Sequence, residues 1–211
     1  MIFVLITAAG VGSRFNTSLP KQFVKINNKE LLKYTIDCYS HLDCKIFLGL
    51  SEEYINEFND CRVIKYIGGN HNQETIKKGL EIIQKESSYD DIILICDGNR
   101  PLVSKEIINS EIEFVMNNQD KIVCPAIESY GLFSSDGKHS IDRSTIVQVQ
   151  MPCCCNFNKI NNLYSKVTKF DFNNPMELWA RYDKVDFVKG DYKNIKITYA
   201  EDLDLFLLFS N

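Results

Sequence analysis

The sequence predicts an α/β protein with a mainly parallel sheet covered by helices on both faces. Three observations carry that prediction. Apolar runs of strand length recur along the 211 residues, stretches with helical spacing separate the first five, and runs such as IILIC stay apolar without alternation. Strands alternating with helices imply βαβ crossovers. Unbroken apolar strands fit burial on both sheet faces. The length suits one well-buried domain over residues 1–211, and 45% apolar with 25% charged residues is ordinary globular composition.

The strand runs in order are MIFVLIT at the start, CKIFLGL (44–50), RVIKYI (62–67), DIILIC (91–96), KIVCPAI (121–127), TIVQVQ (145–150), VDFVKG (185–190) and NIKITY (194–199). KELLKYTIDCYSHL, NQETIKKGLEIIQKE and SKEIINSEIEFVMNN supply the helices between them. Thr75 or Glu74 and Ser104 are expected as caps, with Pro101 ending the preceding strand. SSDGK, between two β-prone runs, reads as a hairpin turn, so residues 128–150 are expected to form a β-arm projecting from the sheet. EDLDLFLLF reads as a closing amphipathic helix. Together these elements describe a Rossmann-like architecture with a small hairpin arm.

Charge and cysteine usage narrow the function. A net charge of −4 argues against a general nucleic-acid binder held by phosphate neutralisation. The apolar start lacks a basic flank and breaks at Gly10, too short for a signal peptide or a membrane span, so a cytoplasmic protein is expected. The eight cysteines then read as reduced thiols. Cys153, Cys154 and Cys155 point in alternating directions and no second cluster completes a zinc site.

Chemistry enters with AAGVGSR after the first strand. In an open α/β sheet, ligands sit beyond the carboxyl ends of the strands, where such a loop presents its amides to phosphate. Gly10 and Gly12 let the backbone approach closely, Arg14 can meet a phosphate bidentately, and Lys21 adds a point charge. A lone G-x-G matches neither the dinucleotide fingerprint nor the P-loop and equally serves a tight turn. Arg14 followed by Leu-Pro-Lys-Gln in one loop sharpens the reading, since that pattern resembles the one in nucleotidyltransferases.

Four stretches, AAGVGSRFNTSLPKQF, GGNHNQETIKKGL, CDGNRPLV and GDYKNIKITYAEDL, carry a resemblance spanning nearly the whole chain. The chain resembles the cytidylyltransferases that attach CMP to polyol phosphates, namely the 2-C-methyl-D-erythritol 4-phosphate and ribitol-5-phosphate enzymes. The resemblance implies the nucleotide-diphospho-sugar transferase type of fold. It also implies attack of an acceptor phosphate oxygen on the α-phosphorus of CTP with release of pyrophosphate, aided by Mg²⁺ and basic residues. By resemblance, Ala8, Ala9, Gly10 and Gly12 face the nucleotide, and Arg14, Lys21 and Lys196 stabilise phosphate charge during transfer. Gly69 and Thr75 are expected near the cytosine, with Thr75 where the family has Ser. Asp97 is expected to hold Mg²⁺, and Arg100 matches the Arg of H-D-x-x-R-P. Asp191 or Asn194 would supply the second metal ligand, and alternation in NIKIT predicts Asn194, Lys196 and Thr198 on one face.

Departures gather where the family binds its acceptor. Two departures fall outside that region, in the nucleotide stretches, where Asn72 stands for an Arg and Cys96 for the His of H-D-x-x-R-P. The basic residues expected on the acceptor phosphate fall at Asn156 and Gly131, the T-D pair becomes Phe172-Asn173, and Arg143 remains as a basic contact on the arm. The reading is therefore a CTP-dependent transferase with a different acceptor: another alcohol phosphate, an aminoalkyl phosphate or phosphonate, or a modified sugar phosphate of surface polysaccharide. The CCC run then reads as small apolar lining near that pocket. Two alternatives stay open, a sugar-phosphate nucleotidyltransferase using another NTP and a non-catalytic nucleotide-binding homologue. The family also implies a homodimer through the hairpin arm.

Overall fold

A computed structural model describes residues 1–10, 15 and 19–210. Its main sheet runs in the order β10 (Val185–Lys189), β7 (Ile122–Glu128), β9 (Cys153–Asn156), β6 (Ile92–Asp97), β1 (Ile2–Ala8), β4 (Cys44–Leu50), β5 (Val63–Ile67), with β8 (Val147–Val149) paired to β7. β1 pairs in parallel with β4 and β6, β4 with β5, and β7 with β10. β9 is antiparallel to both its neighbours.

Helices cover both faces, as the unbroken apolar strands require. On one face α2 (Asn72–Ile83), α4 (Phe157–Ser165) and α5 (Pro175–Trp179) bury Ile76, Leu80, Phe157, Tyr164 and Trp179 against Phe3, Leu5 and Ile93. On the other, α1 (Leu31–Asp37) and α3 (Lys105–Asn117) bury Leu32, Ile36, Ile108 and Val115 against Val4, Ile6 and Leu94. A third cluster joins Ile197 to Phe206 of α6 (Asp202–Phe209). Among the described residues, no helix is long and apolar enough to cross a membrane.

Four expectations need correction. The CCC run is not pocket lining; it is strand β9, with Cys153, Cys154 and Cys155 all fully buried in mid-sheet. Cys153 and Cys155 pack on the α2 face and Cys154 on the α3 face, the alternation of any central strand. NIKITY is not a strand: Asn194 donates its N–H to Asp191 and Ile195 to Lys193, bonds of a turn, and Ile197 donates to the Asn99 carbonyl instead of to a ladder. Neither Thr75 nor Glu74 caps α2, which begins at Asn72, whereas Ser104 does cap α3 by accepting from the Ile107 N–H. The closing helix α6 is not amphipathic, since Leu205, Leu207 and Leu208 are exposed and Phe206 alone among its residues is buried.

The arm follows the expectation for SSDGK. Ser134 accepts at its carbonyl from Gly137, Phe133 bridges Ser140, and Gly137 holds φ +72°. A small hairpin that the sequence reading lacked pairs β2 (Lys25–Ile26) with β3 (Lys29–Glu30) through Asn27 and Asn28, both at positive φ, which Asn tolerates.

Candidate active site

The chain steps from β1 outward to β4 and β5, then returns to place β6 on the other side of β1. That reversal leaves a crevice at the carboxyl ends of β1 and β6. A cavity of about 610 Å³ opens there.

Ala8, Ala9 and Gly10 form its floor, with Lys21 and Gln22 beside them. Two glycines make the floor thin. A Cβ on Gly68 would lie 2.5 Å from the Ala9 Cβ, and one on Gly98 2.9 Å from the Ala8 Cβ, so no side chain fits at either turn. Gln22, buried at 3% exposure, donates to the carbonyls of Ala8 (2.8 Å) and Gly10 (3.0 Å), which ties the backbone of this stretch beside the cavity. The sequence reading quoted Gln22 only as part of a motif, and a Gln directly following Pro-Lys was the available signal.

Gly69, Asn70, His71, Asn72 and Thr75 make the wall above β5. The Thr75 hydroxyl is buried in the first turn of α2, accepting from the Gly69 N–H (2.9 Å) and donating to the His71 carbonyl (3.2 Å). Gly69, His71 and Thr75 thus form one hydrogen-bonded corner. Asn173 closes the wall from the far side, where Gln73 donates to its carbonyl (2.6 Å) and accepts from the Tyr164 hydroxyl (2.6 Å).

Asp97, at the end of β6, is the one acidic residue on the cavity wall among the described residues. It is 7% exposed, with Lys196 Nζ 3.0 Å and Arg100 Nε 3.4 Å from its Oδ2. Burial opposes its ionisation, but the two cations outweigh burial and hold the carboxyl below the usual carboxylate range. Both contacts use Oδ2, and Oδ1 takes neither. Arg100 is itself buried and also donates to the Asn194 carbonyl (2.9 Å).

The cavity therefore gathers Ala8, Ala9, Gly10, Lys21, Gly69, Thr75, Asp97 and Lys196. Gly12 and Arg14 lie outside the described residues. Asp191 and Asn194 are not brought to Asp97's wall. Asn194 is 1% exposed and donates its amide to the Met151 carbonyl (2.9 Å), while the Asp191 carboxylate accepts from the Lys193 N–H (2.8 Å). Residues 194–198 form a loop and not a strand, so the three side chains do not alternate onto one face; Lys196 and Thr198 line the first cavity, and Asn194 and Lys196, with Arg100, line a second cavity of about 560 Å³ against the arm's root. Asn156 caps α4 and lines neither cavity, and Phe172 is packed on Tyr164 and Phe170.

The divalent cation implied by the resemblance fits this wall in one respect. A single buried carboxylate with one oxygen untouched by either cation matches Mg²⁺ sites in which one or two carboxylates and the substrate phosphates share the ion. Among the described residues no cluster of three or more His, Cys, Asp or Glu could hold a metal ion by protein side chains alone.

Known proteins match this architecture. The family described as "IspD: 2-C-methyl-D-erythritol 4-phosphate cytidylyltransferase" matches residues 2–208. A 2-C-methyl-D-erythritol 4-phosphate cytidylyltransferase of Clostridium botulinum (strain 657 / Type Ba4) is 33% identical over 219 residues, covering 96% of this chain and 94% of the relative. The bifunctional IspDF of Campylobacter jejuni superposes with a TM-score of 0.83 at 26% identity, covering 97% of this chain, which spans 53% of that longer protein. The 2-C-methyl-D-erythritol 4-phosphate cytidylyltransferase of Thermus thermophilus superposes at 0.80 with 20% identity, covering 98% of this chain and 97% of its own, a likeness of fold. With the glycine-floored crevice at β1 and β6 and a family pattern running from end to end, the chain belongs to the IspD family of 2-C-methyl-D-erythritol 4-phosphate cytidylyltransferases, enzymes of the nucleotidyltransferase class.

Proposed function

We propose that this chain transfers CMP from CTP to a small phosphorylated acceptor whose binding groups differ from those of the polyol phosphate enzymes. One observation carries the reading: Ala8–Gly10, Lys21, Thr75, Asp97 and Lys196, drawn from four separate sequence stretches, line a single cavity. The amides of the β1 loop and the Gly69–Thr75 corner suit the nucleotide, and Lys21 and Lys196 suit the phosphates. An acceptor phosphate oxygen attacks the α-phosphorus, the bond to the β-phosphate oxygen breaks, and pyrophosphate leaves with the bond's electron pair. Lys21 and Lys196, with Arg14 from outside the described residues, neutralise charge that grows on the α-phosphoryl and pyrophosphate oxygens; one such group is worth about 10²- to 10³-fold in kcat. Asp97 would hold Mg²⁺ against the triphosphate, where the ion neutralises charge.

The changed acceptor rests on Phe172 and Asn173, which put a packed ring and an amide where the family has Thr and Asp, and on Asn156, whose amide donates to the Tyr89 carbonyl. The arm supports a homodimer contact, since Tyr130, Phe133, Ile141, Val147 and Val149 leave it exposed and apolar. Arg143, exposed on the arm, lines neither cavity. The test is pyrophosphate release with Mg²⁺ and each of the four NTPs across polyol phosphates including 2-C-methyl-D-erythritol 4-phosphate, aminoalkyl phosphates, phosphonates and sugar phosphates. Release with CTP and one acceptor is expected. Release with another NTP would replace the nucleotide assignment, and CTP binding without release from any pair would favour a non-catalytic homologue.

A further inference from the structure

Lys196 reaches Asp97 from a segment that belongs to no strand, so something other than a ladder must fix it. From the structure we infer that Gln150, at the root of the arm, is the positioning residue that holds the Lys196 loop and thereby the Asp97–Arg100–Lys196 cluster. The inference rests on the proposed roles of Lys196 and Asp97.

Gln150 follows β8 directly and is tied to the sheet by its own N–H, which donates to the Pro125 carbonyl (2.8 Å). Its side chain is 4% exposed and spends every polar atom on the loop. Nε2 donates to the carbonyls of Asp191 (2.8 Å) and Asn194 (3.2 Å), and Oε1 accepts from the Asp191 N–H (3.2 Å). The Asn194 carbonyl is the same oxygen that receives Arg100 Nη1 at 2.9 Å. One carbonyl thus joins Gln150 to Arg100, and Arg100 joins it to Asp97. A second tie runs in parallel, from the Asn194 amide to the Met151 carbonyl. Gly190 gives the clamp its room, because a Cβ there would lie 2.6 Å from Gln150 Oε1.

The loop is pinned again beyond Lys196, where Asn99 exchanges hydrogen bonds with Ile197. Lys196 therefore hangs between an anchor on β6's turn and an anchor on the arm. Loss of the Gln150 bonds leaves the end that also carries Arg100's acceptor on the Asn194–Met151 tie and lets it shift, and displacement of a charge-stabilising group by about 1 Å costs on the order of 100-fold.

Gln150→Leu keeps the volume and removes all three bonds. With CTP, Mg²⁺ and 2-C-methyl-D-erythritol 4-phosphate, or the compound of the acceptor panel that turns over fastest, kcat is expected to fall about 10- to 100-fold. Calorimetry should still find one CTP per chain, with Kd changed by less than about threefold, which separates mispositioning from partial unfolding. In a Lys196→Arg background the same substitution should cost less than about twofold, because the group it positions is already altered. If Gln150→Leu does not fold, Gln150→Glu carries the test: its carboxylate cannot donate to the two carbonyls, and its deficit relative to the parent should narrow as pH is lowered and the carboxyl regains a proton to donate. A parent-like kcat, a loss mirrored in CTP stoichiometry, an additive loss with Lys196→Arg, or a deficit in Gln150→Glu that ignores pH overturns the inference. Parent-like turnover in Lys196→Met, or no release by the parent with any acceptor, overturns the functional reading instead.

Discussion

Glu111 offers the sharpest test of the packing between α3 and the sheet. It is fully buried, and neither carboxylate oxygen has a hydrogen-bond partner. The groups that feel its charge are the Cys96, Cys124, Cys153, Cys154 and Cys155 thiols and the Tyr39 hydroxyl, none of them a cation. Burial therefore acts unopposed and pushes the carboxyl well above its ordinary range. In the unfolded chain the same group titrates near an ordinary Glu, at about 4.3. Above that pH the folded state holds a proton that the unfolded state has released. The stabilisation is complete below the unfolded value and is lost progressively as pH rises towards the raised folded value, at about 1.4 kcal/mol per pH unit. Glu111→Gln removes the titration and leaves a buried polar group, so its stability should gain on the parent by about 1.4 kcal/mol for each pH unit within that window. Glu111→Leu should show the same slope plus a constant gain of about 1–3 kcal/mol from removing an unpartnered polar group. Urea unfolding of all three proteins across a pH series measures both terms. Identical pH dependence of parent and Glu111→Gln would refute a neutral buried carboxyl.

Three further outcomes follow from the site. Asp97→Asn should lower turnover at least about 100-fold and, unlike a change in an exposed cleft, also destabilise the fold by about 3 kcal/mol in urea unfolding, since buried Arg100 loses its carboxylate. Thr75→Val keeps the shape of the corner but strands the Gly69 N–H, so calorimetric CTP affinity should weaken about 10-fold, a loss of about 1.4 kcal/mol. Gln73→Leu leaves the buried Tyr164 hydroxyl unpaired and releases Asn173; stability should drop by about 1–3 kcal/mol, with KM for the acceptor rising more than KM for CTP.

Periodicity made the parallel half of the fold legible because β1, β4 and β6 are buried along most of their length by their own apolar residues. β9 was hidden for the opposite reason: its four residues are Cys153, Cys154, Cys155 and Asn156, a composition without β-branched or aromatic residues, and their strand character comes from filling the gap between β6 and β7. The same tertiary override misled the reading of NIKIT. Apolar alternation was present, but the segment's partners are Asn99 and Gln150, two amides distant in sequence. Cavity residues at strand ends, Ala8 and Asp97 among them, were readable from motif and position. Gln73, Asn99 and Gln150 were not, since a buried amide bonding to a backbone carbonyl leaves no periodic trace.

Under the proposed function, the nucleotide side can keep its pattern while the acceptor side departs for a geometric reason. The floor under the nucleotide is backbone, and its shape depends on Gly68 and Gly98 lying so close to Ala9 and Ala8 that a single added methyl group collides. A substitution there moves the loop that binds and is felt at once. Across the cavity from that floor, Asn173 is a loop position whose backbone is held independently by Gln73 and Glu177. Changing such a side chain alters what the cavity recognises and leaves the scaffold standing. On the proposed reading, Asn173 and the packed Phe172 ring can therefore take the place of charged acceptor contacts without disturbing the Asp97–Lys196 pair, which is anchored from the other direction through Arg100 and Asn194. The Asn173 wall and the Asp97–Lys196 pair hang on separate hydrogen bonds, so under the proposed function one can be rewritten while the other is kept.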